Sequence, residues 1–76
     1  MVKFIEHWMF ATHIWHDAKP TPVAINLREI VHIEEMQNEV FGKHIVVYLK
    51  NKNAIPIEGE IIDVLAELQK HLQTMY

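Results

Sequence analysis

The chain has 76 residues, half of them hydrophobic, and a net charge of −3, which suits one small globular core and leaves no room for a second domain. It has no cysteine, which excludes disulfide staples, thiolate metal sites and a cysteine nucleophile together. Its seven Lys and Arg residues are scattered and outnumbered by acids, whereas nonspecific nucleic-acid binding needs clustered cations. No apolar run approaches the roughly 20 residues of a membrane span, and Lys3, Glu6, His7 and His13 interrupt the N-terminal stretch, so the expectation is a cytoplasmic protein.

Val2 to Trp15 is rich in aromatic and β-branched residues and reads as one strand, bent along its length. Phe4, Trp8, Phe10 and Ile14 form the set expected to face the core, with Lys3, His7 and His13 opposite. Glu6 and Thr12 fall on the apolar set and Ile5, Met9 and Trp15 on the polar one, so the pattern calls for a β-bulge or for cover on both faces. Two prolines in His16 to Pro22 mark a connection.

Val23 to Ile25 reads as a short strand, and Asn26 opens a turn with Leu27 and Arg28. Ile30 to Met36 resumes the sheet with Val31 and Ile33 alternating against His32 and Glu34, and Gln37 to Lys43 reads as a loop. His44 to Lys50 is the clearest strand, with Ile45, Val47 and Leu49 inward and His44, Val46, Tyr48 and Lys50 on the other face. Asn51-Lys52-Asn53 is a hairpin turn, because Asn tolerates the left-handed conformation. Ala54 to Glu58 returns with Ile55 and Ile57 inward. Pro56 implies an edge strand or an amide that faces away from a partner.

Beyond Gly59 the period changes from two to 3.6. Ile61, Leu65, Leu68, Leu72 and Met75 form one stripe of a helix whose acids, Glu60, Asp63 and Glu67, come early and whose Lys70 and His71 come late, as the helix dipole favours. Such a stripe is expected to lie on the sheet, since two heptads are too short to hold a coiled coil alone. The expected core is Ile25, Leu27, Ile33, Ile45, Val47, Leu49, Ile57, Ile61, Leu65, Leu68 and Leu72.

Six histidines are the one compositional oddity, and His13-Ile14-Trp15-His16-Asp17 sets two imidazoles and a carboxylate within five positions. On a strand, residues three apart point to opposite faces, so these donors converge only if the chain turns between them. No metal site, cofactor or catalytic residue is expected. The chain has no Ser, and Thr12, Thr21 and Thr74 lack a neighbouring acid–base pattern. No HExxH, GxGxxG or phosphate-binding glycine loop is present.

Val23-Ala24-Ile25-Asn26-Leu27-Arg28-Glu29-Ile30-Val31-His32-Ile33-Glu34-Glu35, followed by Ile45-Val46-Val47-Tyr48-Leu49 and Ala54-Ile55-Pro56-Ile57, resembles the pattern of the flagellar FlbD family and of small bacterial and phage proteins like it. The resemblance spans about residues 23–68, lies in hydrophobic spacing, and implies an Ile/Val-rich hairpin followed by a short helix. The run is also similar to part of the LytTR-type DNA-binding domain. Glu58 departs from that pattern by placing a negative charge where the resemblance would put basic residues, so no DNA-contacting residue is carried over.

These readings converge on a single α+β domain over residues 1–76: a small antiparallel β-meander of four or five strands with one C-terminal amphipathic helix packed on the sheet. The expected function is that of a noncatalytic protein-binding or regulatory module, self-associating as a homo-oligomer, either a host accessory protein or a phage-encoded inhibitor. Trp8, Trp15 and Tyr48 are its candidate partner interface. The alternative is a nucleic-acid-binding regulator using Lys43, Lys50, Lys52 and Tyr48, which requires those lysines to meet at one end of a hairpin.

Overall fold

The computed structural model describes residues 2–74, which form one antiparallel sheet of six strands and one C-terminal helix, an α+β arrangement. The strands are β1 (Lys3–Ile5), β2 (Trp8–His13), β3 (Thr21–Asn26), β4 (Ile30–Asn38), β5 (Gly42–Leu49) and β6 (Ala54–Ile57), and the helix α1 is Ile61–Thr74. The order is not that of a simple meander. β2 is flanked by β3 on one side and by β1 and then β6 on the other, and β5 and β4 follow β6. β3 and β4 thus occupy opposite edges, yet only the 3₁₀ turn Leu27–Glu29 joins them, so the sheet must curl on itself. Asn26 opens that turn by accepting the Arg28 amide at 2.9 Å. Leu27 donates its amide to the His7 carbonyl, and Glu29 accepts that of Lys50.

The concave face of the curl holds the core. Met9, Ala11, Ile25, Ile45, Val47 and Ile57 are buried there with Val2, and α1 closes it with Val64. Ile25, Ile45, Val47 and Ile57 are buried as their alternation predicts, while Leu27, Ile33, Leu49 and Ile61 pack against the cluster from its rim. Gly59, at φ 141°, lets the chain leave β6 for the helix in a conformation that disfavours a side chain. Ile61 at the start of α1 donates its amide to the Glu35 carboxylate on β4 at 3.3 Å. At the other end, His71 stacks on Phe4 and its Nε2 donates to the Glu6 carbonyl, which ties the last turn to β1.

The structure corrects several expectations. Val2 to Trp15 is two strands, because the chain reverses at Glu6-His7, where Glu6 adopts φ 53° and Ile5 pairs with Trp8. The reversal shifts the inward set by one residue. Phe4 keeps its place, but Met9 and Ala11 replace Trp8 and Phe10 in the core. The expected loop Gln37 to Lys43 shrinks to residues 39–41, since β4 runs on to Asn38 and β5 begins at Gly42. Asn38 accepts the amides of Val40 and Phe41 there, and Gly42 supplies φ 66°. Val31 is exposed because the β4–β5 register shifts between Ile30 and His32. Pro56 lies on an interior strand. Its carbonyl accepts the Ile14 amide, so its nitrogen faces β2 just past the last rung, where no ladder donor is required.

The helix is also rotated relative to the expected stripe. Val64 is its most buried residue, with Ile61, Leu68 and His71 beside it, whereas Leu65 and Leu72 are exposed. Met75 lies outside the described residues. His44 and Val46, on the face opposite Ile45 and Val47 as expected, are buried too, so this part of β5 is covered on both sides. In the turn after β5 it is Lys52 that takes the positive φ, while Asn51 accepts the Asn53 amide at 3.0 Å.

Candidate interaction surface

The inversion of β2 places its largest side chains on the convex face. Residues paired across antiparallel strands share a face. Ile5, Trp8 and Asn26 therefore form one row, Lys3, Phe10 and Ala24 the next, and Thr12 and Pro22 a third. Ile5 is 48% exposed, Phe10 41% and Trp8 37%, and Pro22 and Ala24 are exposed beside them. The result is an apolar surface three strands wide whose one charged side chain is Lys3. Phe10, Ala11, Pro22, Val23 and Ala24 line a shallow hollow of about 270 Å³ in it.

The three residues expected to form a partner surface are not gathered into one cluster of rings. Trp8 leans on His7, with ring centroids 5.4 Å apart. Trp15 lies beyond the end of β2, 4.0 Å from the His13 ring, and its Nε1 donates to Thr21 Oγ1 at 3.0 Å, which pins the start of the connection to β3. Tyr48 stacks on His32 across β4 and β5 at 4.3 Å, and its hydroxyl donates to Glu34 at 3.3 Å with the Met36 sulfur 3.8 Å away. Loss of water around the phenol, and then the Glu34 carboxylate, raise Tyr48 above the ordinary tyrosine pKa. Phe10, Pro22 and Ala24, which with Ile5 complete the surface around Trp8, go unmarked in the sequence because they share a face with it only once the Glu6-His7 turn is known.

The histidines serve as packing partners. Five of the six lie against an aromatic ring: His7 on Trp8, His13 on Trp15, His32 on Tyr48, His44 on Phe41 and His71 on Phe4. His16 pairs with Asp17 at 3.0 Å on the exposed connection, so His13 and His16 engage different neighbours. Among the described residues no group of three or more His, Asp or Glu is placed to hold a metal ion.

The lysines do not all meet. Lys43 is the second residue of β5 and Lys50 follows its end, seven residues or roughly 23 Å along the strand. Lys43 lies 3.8 Å from the Glu35 carboxylate, and Glu34 stands beside Tyr48. Of the three lysines that the nucleic-acid alternative joins, Lys43 is thus set apart from Lys50 and Lys52, which lie together in the turn beyond β5. A second depression, about 680 Å³, runs between Val2-Lys3 and the α1 flank Asp63, Ala66, Glu67 and Lys70. Its lining mixes both signs of charge, and Lys70 is paired with Glu67 at 3.6 Å. No described helix is long and apolar enough to cross a membrane.

The chain matches no protein-family model, no curated protein and no solved structure, so its likeness to the FlbD family rests on the hydrophobic spacing alone.

Proposed function

We propose that this chain is a noncatalytic protein-binding module of regulatory type that self-associates through the convex face of β1, β2 and β3. The observation that carries this reading is the exposure of Ile5, Trp8 and Phe10 side by side on rigid, hydrogen-bonded strands. Apolar side chains scattered singly over a surface need no explanation, but a contiguous set with little charge does. Tryptophan and phenylalanine on a strand present a large area at small entropic cost, which suits them to interface cores.

Light scattering tests the reading, with wild type compared with Phe10→Asp across a concentration series at low and high salt. The expected result is a defined wild-type oligomer insensitive to salt, and a monomeric variant with an unchanged circular dichroism spectrum. A wild type that stays monomeric at the highest concentration overturns self-association.

A further inference from the structure

We infer that the convex face is covered by a second copy of the chain related by a two-fold axis, with the Trp8 indole of each protomer seated over the Ala24 hollow of the other. This inference rests on the self-association proposed above and assigns its geometry. A two-fold contact is isologous, so whatever residue i touches on the partner must be touched by residue i of the partner in return. A surface can meet itself closely only if it carries both a projection and a recess to receive it.

This face carries both. In the row Lys3–Phe10–Ala24, one of the smallest side chains stands beside a phenylalanine, and the step between them opens the hollow bounded by Pro22, Val23 and Ala11. The walls of the hollow are almost wholly apolar. One row along β2 stands Trp8, which leans toward His7 in the turn and leaves the hollow unfilled. Facing sheets pack about 10 Å apart with interdigitated side chains, a spacing that admits an indole over an alanine.

Charge favours a copy over a charged partner. A patch of many like charges would repel itself across a two-fold axis, whereas Lys3 is the one charged side chain in these three rows. The histidine beside Trp8 and the acid in the turn, His7 and Glu6, sit at the end of the patch, where water still reaches them. The exposed apolar shoulder of α1, formed by Ile62, Leu65 and Leu72, is the rival surface for a second copy.

Exchange of the projection and the recess tests the inference. Ala24→Trp puts two projections in opposition and is expected to weaken dimerisation by at least about 10-fold, while Trp8→Ala leaves two recesses facing and weakens it to a similar degree. Trp8→Ala combined with Ala24→Trp restores complementarity and is expected to recover the dimer, as measured by sedimentation equilibrium. Both positions are on exposed strand faces, and circular dichroism checks that each variant is folded.

Because the chain has no cysteine, cross-linking supplies an independent reading. Trp8→Cys chains mixed with Ala24→Cys chains are expected to be joined by a short bismaleimide, and Leu65→Cys chains are not. If wild type dimerises while Ala24→Trp dimerises with undiminished strength, or Leu65→Cys chains cross-link instead, the interface lies elsewhere and this inference falls while self-association stands. If wild type is a monomer, both fall.

Discussion

The two sides of β2 are built from neighbouring residues and serve opposite ends. Met9 and Ala11 point into the curl and are buried, whereas Trp8 and Phe10, larger and richer in apolar surface, point out and stay accessible. Hydrophobicity alone would have ranked them the other way. What decides is the connection: the two-residue reversal at Glu6-His7 fixes which parity faces inward, and every side chain on the strand follows. The buried side holds the fold, and the exposed side is free to bind.

The largest effect that separates the two sides is expected at Met9. Truncation to alanine leaves a cavity between Phe4, Ile25 and their neighbours and should cost about 2–5 kcal/mol of stability, measured by urea unfolding. Phe10→Ala should change stability far less, because the ring is already half in water, while abolishing self-association. Equal losses at the two positions would mean that the convex face is covered by the chain itself.

A smaller loss is expected where the chain crosses from sheet to helix. A Cβ on Gly59 would meet the Ile45 side chain at 3.4 Å and Val2 at 3.8 Å, which is ordinary contact, so space is not the obstacle. The obstacle is φ 141°, and Gly59→Ala should cost about 1–3 kcal/mol in thermal or urea unfolding. D-alanine at the same position, accessible by synthesis in a chain of this length, should be tolerated. A penalty of equal size for both enantiomers would point to packing and not to the backbone.

Tyr48 gives a prediction in pH. Its pKa is raised in the folded state, so the unfolded chain loses the phenolic proton first, near the ordinary tyrosine value of 10.0. The contribution is complete below that pH and disappears as pH rises through the folded value. Alkali should therefore destabilise wild type, and Tyr48→Phe should flatten that part of the pH–stability curve. A curve unchanged by the substitution would show that the Glu34 contact is too well hydrated to matter.

How much of this was legible depended on whether turns carried their usual residues. The stretch from β5 to β6 was readable because Ile45, Val47 and Leu49 alternate cleanly and Asn51-Lys52-Asn53 is ordinary turn chemistry. The Glu6-His7 turn offered no Gly, Asn, Asp or Pro, so two strands looked like one irregular strand, and the surface around Trp8 was hidden with it. The sheet order was illegible for another reason. Pairing of β6 with the far end of β2 is a long-range choice made by the curl, and no local pattern announces it. The extension of the long β4–β5 hairpin past the expected strand end at Met36 was illegible because Gln37 and Asn38 carry no apolar alternation, although they pair with Lys43 and Gly42.

The helix gives the smallest expected effect and the sharpest contrast with β2. Its apolar residues cover about half of the helical circumference, more than the sheet can receive, so the spacing of Ile61, Leu65, Leu68 and Leu72 fits an inward stripe as well as the observed Ile61, Val64 and Leu68 does. The two descriptions differ by a rotation of roughly half a residue step, and Leu65 is where they disagree. It is 51% exposed here. Leu65→Lys should change stability by no more than about 0.5 kcal/mol, since a lysine at such a site keeps its stem on the apolar shoulder and its ammonium in water. A loss of several kcal/mol would place Leu65 in the core and rotate the helix toward the stripe Ile61, Leu65, Leu68 and Leu72. Val64→Ala in parallel should cost clearly more than Leu65→Lys, although valine is the smaller side chain, because its neighbours are closed around it and water cannot replace what is lost.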